Sequence, residues 1–126
     1  MRFDQTKPIY LQIIELIYDL ILQKKWKEES RIPAIREFSA QLEVNPNTVA
    51  KAYNECLELG IFYNKRGIGY FLSKDSYEKI LKIKREEFFK EKVPNLIKNL
   101  SNLGISIEEF ISYINLSYIK GEENEK

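Results

Sequence analysis

Asn47, Thr48 and Lys51 place an amide, a hydroxyl and an ammonium within about one helical turn of each other. An Asn amide can pair with N6 and N7 of adenine, Thr can reach a backbone phosphate, and Lys a phosphate or a base edge. Upstream, the Arg36 guanidinium can grip a phosphate or a guanine edge with two parallel hydrogen bonds. Downstream, Lys65, Arg66 and Gly67 form a basic loop tip suited to lying beside a phosphate backbone. Each position has a plainer reading: a surface arginine, first-turn polar residues, a solvated turn. Other chemistry is poorly supplied. The chain has no histidine and one cysteine, Cys56, which excludes an intramolecular disulfide and a His/Cys zinc site. No nucleophile stands beside a base and no phosphate-binding loop is present, so neither an enzyme nor a cofactor is expected. Gly67-Ile68-Gly69 falls between two short β-prone runs, not between a strand and a helix, and is no dinucleotide fingerprint.

The elements that must position these side chains can be read from residues 31–72. Ile35, Phe38, Ser39 and Leu42 recur at helical spacing after the extended start Ile32-Pro33. A break at Glu43-Val44-Asn45 follows, and Asn45-Pro46 opens a second helix, with Asn as N-cap and Pro at the first helical position. The N-cap role fully explains Asn45, so contact with nucleic acid is a secondary expectation there. At about 100° per residue, Val49, Ala52, Tyr53, Cys56 and Leu57 fall on one side of this helix. Asn47, Lys51, Asn54 and Glu58 fall on the other. Helix, tight turn, helix at this scale is a helix-turn-helix pattern, whose second helix enters a DNA major groove by its first turns. Leu59-Gly60 reads as the C-cap. Ile61-Phe62-Tyr63 and Tyr70-Phe71-Leu72 then flank a loop over 64–69, which predicts a hairpin wing with a basic tip.

At these residues the chain resembles the GntR family of bacterial transcription regulators, over roughly residues 7–74. The resemblance is carried by Pro8-Ile9-Tyr10-Leu11-Gln12-Ile13, by Ile32-Pro33-Ala34-Ile35-Arg36-Glu37, by Val44-Asn45-Pro46-Asn47-Thr48-Val49 with Ala52-Tyr53, and by Arg66-Gly67-Ile68-Gly69. The short remainder resembles the small YtrA-type branch, which lacks a large effector domain. The resemblance implies a homodimeric regulator, a repressor by preference, on an inverted-repeat operator, with a neighbouring transporter operon as a candidate target. It supports Arg36 as a DNA contact. Departures are visible: Asn45-Pro46 stands where many members carry Ser-Arg, Ala50 where many carry Arg, and Ala34 where Ser is usual. Binding is then expected to lean on Arg36, Lys51 and the wing, with a different base preference.

Charge adds little. The 126 residues carry a formal charge of +1, and residues 31–74 hold Lys and Arg at 31, 36, 51, 65, 66 and 74 against Glu at 37, 43, 55 and 58, an excess of +2. Such a balance predicts modest non-specific binding and dependence on a few contacts. Residues 8–25 predict a first helix with a wide apolar arc, Ile9 to Leu22, implying one face on the core and another on a second subunit or the C-terminal helices. Trp26 and Tyr18 extend that surface, and the charged stretch from Lys24 to Arg31 reads as a solvated loop. Cys56 reads as a small buried thiol. No apolar run reaches the length of a membrane span and no signal-peptide pattern opens the chain, so a cytoplasmic protein without membrane association is expected.

After the wing, Asp75 or Ser76 is expected to cap a helix carrying Tyr77, Ile80, Leu81, Lys84 and Phe88. Pro94 predicts a kink, or a new helix from about Lys92. Gly104 closes that run, Ser106 and Glu109 match a capping box, and Ile107, Phe110, Ile111, Ile114 and Tyr118 form the last stripe. These helices are too few to enclose a ligand cavity of usual size but enough for a dimer surface. Phe88, Phe89, Tyr113 and Tyr118 offer the alternative of a small ligand pocket, and the sequence leaves a small-molecule effector open. The expected fold is mainly α with a small β-hairpin: a winged helix-turn-helix domain over 1–74, a C-terminal helical dimerisation region over 75–121 and a flexible tail over 122–126. Partners are double-stranded DNA and a second copy of the chain. The competing class is a winged-helix module that binds protein without DNA specificity.

Overall fold

The computed structural model describes residues 2–125, with side chains to residue 121, and contains helices α1 (Ile9–Leu22), α2 (Ile35–Leu42) and α3 (Pro46–Glu58). An antiparallel hairpin of β1 (Phe62–Lys65) and β2 (Gly69–Leu72) follows, then α4 (Ser76–Glu87), a π-helical turn (Phe88–Lys92), α5 (Val93–Asn102) and α6 (Ile107–Glu125). The chain divides into two compact units, Met1–Lys84 and Arg85–Lys126.

The first unit is built around one apolar core. Ile13, Ile17 and Ile21 of α1 meet Val49, Ala52, Tyr53 and Cys56 of α3, with Phe38, Phe62 and Leu72 closing the remaining sides. Most of the wide apolar arc of α1 is used within this unit: Ile9, Leu16, Leu20 and Leu22 pack against the core while Leu11 stays exposed, and α4 joins it through buried Ile80 with Tyr77 and Ile83. Lys84 of α4 also pairs with Glu15 of α1. The winged-helix unit therefore includes the first turns of α4 and extends beyond residue 74.

Local chemistry explains most helix ends. α1 stops at Leu22, earlier than Lys25, because Lys24 adopts φ 58 and the Lys25 N–H returns to the Leu20 carbonyl at 2.9 Å. This is a Schellman closure with lysine at the position glycine usually takes. α3 ends the same way on Gly60, φ 74, and α5 on Gly104, φ 65. Capping of α4 differs from expectation. Ser76 is its first helical residue and its buried hydroxyl lacks a hydrogen-bond partner, while Asp75 pairs with Lys79 at 3.3 Å.

The stretch from Lys24 to Arg31 is more than a solvated loop. Glu29 and Ser30 exchange backbone hydrogen bonds with Leu72, and Arg31 bridges Phe71, so the segment lies along the free edge of β2. Trp26 tilts against Phe38 and Phe62, with ring centroids 5.2 and 6.4 Å away.

The second unit has a different character. The π-helical turn ends at Lys92, just ahead of Pro94, whose ring would otherwise press on a carbonyl one turn back. Ser106 Oγ accepts the Glu109 N–H at 3.1 Å and opens α6. The tail expected over 122–126 carries helical backbone to Glu125, and Lys126 lies outside the described residues. Among the described residues of this unit none is buried. Phe88, Phe89, Tyr113 and Tyr118 are all exposed, in place of the enclosed pocket they were able to suggest.

Candidate nucleic-acid interface

A compact set of backbone contacts fixes the turn between α2 and α3. Glu43 ends α2 with φ 57, and the Val44 N–H donates to the Ser39 carbonyl at 3.0 Å. Asn45 then caps α3: its side-chain oxygen accepts the Asn47 N–H at 2.8 Å, and its carbonyl accepts the Thr48 N–H at 3.0 Å. Pro46 follows at the start of the helix, where no amide is owed a partner.

α3 has one buried side and one exposed side. Val49, Ala52, Tyr53 and Cys56 are buried, whereas Asn47, Lys51, Asn54 and Glu58 are exposed and Thr48 is half-buried. Tyr53 orients the helix. Its hydroxyl donates to the Pro33 carbonyl at 2.7 Å, and its ring meets Phe62 and Tyr70 edge-on at 5.0 and 5.2 Å. One side chain thus ties α3 to the segment entering α2 and to both strands of the hairpin. Burial raises its pKa above the ordinary phenol value, so the hydroxyl stays a donor. Burial likewise pushes the Cys56 thiol up to about 12, which makes it an inert core residue and no nucleophile.

Asn45, Asn47, Thr48 and Lys51 all lie in the N-terminal half of α3 or at its cap. Lys51 does not extend freely: its Nζ sits 3.9 Å from the centroid of the Tyr10 ring in α1. Arg36 is exposed in the first turn of α2, on a separate element. At the wing, Lys65 is no loop residue. It ends β1 opposite Gly69, and its Nζ lies 4.5 Å from the Phe71 ring centroid. Phe71 in turn stacks on Tyr63, centroid to centroid 5.6 Å. The exposed turn is Arg66-Gly67-Ile68, closed by the Ile68 N–H on the Lys65 carbonyl at 2.9 Å. Gly67 has φ 79, the value required at the third position of a type II turn.

Tyr10 and Arg31 were not singled out as site residues from the sequence. Arg31 lies against the wing: a Cβ on Gly69 would stand 3.1 Å from its Nε. The signal for both was present, Tyr10 in the Pro8–Ile13 motif and Arg31 immediately before Ile32-Pro33, but the partners are far away in the chain. Among the described residues no cluster of His, Cys, Asp and Glu is arranged to hold a metal, and no helix is long and apolar enough to cross a membrane.

A helix-turn-helix whose second helix presents polar residues from its first turn, followed by a hairpin with a cationic end, defines a winged helix-turn-helix protein of the DNA-binding class. Residues 9–72 match the family described as bacterial regulatory proteins, gntR family, and the chain belongs to it. It is 32% identical over 123 residues to the HTH-type transcriptional repressor YtrA of Bacillus subtilis (strain 168), spanning 95% of this chain and 94% of that protein. A GntR family transcriptional regulator from Listeria monocytogenes superimposes with a TM-score of 0.74 at 34% identity, covering 90% of this chain and 97% of the other. AraR(DBD) in complex with operator ORR3 matches with a TM-score of 0.52 at 29% identity, over 58% of this chain and 88% of that one. The protein is a DNA-binding transcriptional regulator of the gntR family.

Proposed function

We propose that the protein is a cytoplasmic, homodimeric repressor that binds an inverted-repeat operator. The observation that carries the dimer is the second unit: from Arg85 onward no described residue is buried, although Ile97, Leu103, Ile107, Ile111 and Leu116 present large apolar side chains. Surface of this kind needs a partner, and a second copy supplies one by symmetry. In this reading Asn47 enters the major groove from α3, Thr48, Lys51 and Arg36 meet phosphate, and Asn45 holds the helix start in place. Lys65, Arg66 and Gly67 lie along the adjacent backbone. A two-fold dimer sets its two recognition helices about one helical turn of DNA apart, or a multiple of it. Occlusion of polymerase at such a site gives repression. The repressor YtrA and the operator complex of AraR(DBD) support the assignment.

The experiment is selection of duplex DNA from a random pool, with salt varied in the last binding step. The proposal expects a two-fold-symmetric motif whose half-site spacing reports the dimer geometry. Sequence-blind retention alone removes the specific-operator reading, and no retention at any salt removes DNA binding itself. Recovery of a motif without two-fold symmetry removes the dimer on DNA.

A further inference from the structure

Two of the lysines assigned to DNA share a setting: each ammonium stands over an aromatic ring. Lys51 Nζ of α3 lies 3.9 Å from the Tyr10 centroid in α1, and Lys65 Nζ at the end of β1 lies 4.5 Å from the Phe71 centroid in β2. Both lysines are exposed and both rings are half-buried, so each ring is a fixed platform and each ammonium keeps open sides toward solvent. Tyr10 packs against the core of the first unit, and Phe71 is held by stacking on Tyr63.

A ring beneath an ammonium attracts it without neutralising its charge. A free lysine surrenders much rotamer freedom when it settles on a phosphate; one already held over a ring surrenders less. A carboxylate would also hold a lysine in place, but would cancel the charge that meets the phosphate. We propose that Tyr10 and Phe71 are positioning residues for DNA binding: their rings hold Lys51 and Lys65 in the poses from which these ammonium groups meet backbone phosphate. The inference rests on the reading that both lysines contact phosphate.

Positioning and contact have different signatures in salt. Each phosphate neutralised contributes about −0.9 to the slope of log K against log salt. Removing the lysine lowers both affinity and the size of the slope. Removing the ring leaves the charge in place, so affinity falls while the slope stays. The test is binding of the full chain to sheared genomic duplex DNA over a series of potassium chloride concentrations, which reads phosphate contacts without knowledge of the operator. Lys51→Gln is expected to reduce the slope by about one contact. Tyr10→Leu is expected to weaken binding roughly three-fold at constant slope, the scale of one exposed cation–ring contact. Tyr10→Phe, which keeps the ring, is expected to match the parent. In the double variant Tyr10→Leu with Lys51→Gln, the loss is expected to equal that of Lys51→Gln alone, since the ring acts only through the lysine. Phe71→Leu and Lys65→Gln form the matching set at the wing.

Parental affinity for Tyr10→Leu, failure of Tyr10→Phe to rescue, or losses that simply add in the double variant would each overturn the positioning role. Additive losses also expose a Tyr10→Leu effect that comes from damaged packing. An unchanged slope for Lys51→Gln instead overturns the phosphate contact beneath the proposal, which separates the two failures.

Discussion

Lys51 and Arg66 carry the sharpest consequence for DNA at the level of single residues, because both are exposed and reversal of charge there disturbs little of the core, at Lys51 only the contact with the Tyr10 ring. Lys51→Glu and Arg66→Glu are each expected to weaken duplex binding at least ten-fold at low salt, with thermal midpoints close to the parent's. Matched melts with unchanged affinity would remove the assignment. Cys56 makes a separate prediction. Burial holds its thiol at about 12 against an ordinary 9.0, so folding favours the protonated form. Its contribution to stability is complete below pH 9 and is lost as pH rises toward 12; Tyr53 acts in the same direction. The urea midpoint is therefore expected to fall above pH 9, and the native thiol to resist a disulfide reagent at pH 8 until the chain unfolds. Rapid labelling of the native protein would contradict the buried setting. Residues with local roles were legible in the sequence: Asn45 and Pro46 at the start of α3 and Gly60 and Gly104 after helices do what their types dictate within a few positions. The Lys51–Tyr10 and Tyr53–Pro33 contacts were not, because their partners meet only after the chain has folded.

Elements were legible where periodicity was clear, as in α2 and α3, with the Asn45 cap marking the start of α3. The stretch from Lys24 to Arg31 was misleading because its mixed charges are side-chain features, while the hydrogen bonds joining it to β2 come from the backbone. Lys65 was assigned to a loop for a similar reason: lysine has no strong strand preference, and its pairing with Gly69 follows from the tight turn at Gly67. The junction of α3 and β1 yields a further prediction. Gly60 has φ 74, its carbonyl accepts from Lys79 Nζ at 3.2 Å, and an added Cβ would meet that Nζ at 2.7 Å. Gly60→Ala is expected to cost about 1–2 kcal/mol, from the left-handed backbone and the displaced lysine together. Equilibrium urea unfolding followed by Trp26, the sole tryptophan, reads it directly. A cost near zero would mean that the helix end moves to relieve both constraints.

At the scale of the whole molecule, the two units reach stability by different routes. The first has an interior of its own, with Tyr53, Ile13, Ile17, Phe62 and Leu72 almost wholly withdrawn from solvent. The second has none among its described residues, and its helices depend on caps at Ser106 and Gly104 and on whatever covers their apolar stripes. The stripes were visible in the sequence, but a stripe does not say whether its own chain or another covers it. Leu103 and Ile107 are 73% and 69% exposed, so Leu103→Glu and Ile107→Glu cost the single chain little packing. Under the proposed assembly they are expected to shift sedimentation from dimer to monomer while the first unit keeps its melting transition. A dimer that survives both substitutions would place the interface elsewhere.

Under the proposed assembly the helical region takes its interior from a second copy, which makes chain number a control variable. Folding of that region and pairing then become one second-order step, so the amount of paired, competent regulator rises faster than the amount synthesised. Halving expression then lowers operator occupancy by more than half when chains are scarce. Partition of a few molecules at cell division becomes an input to the circuit the protein governs.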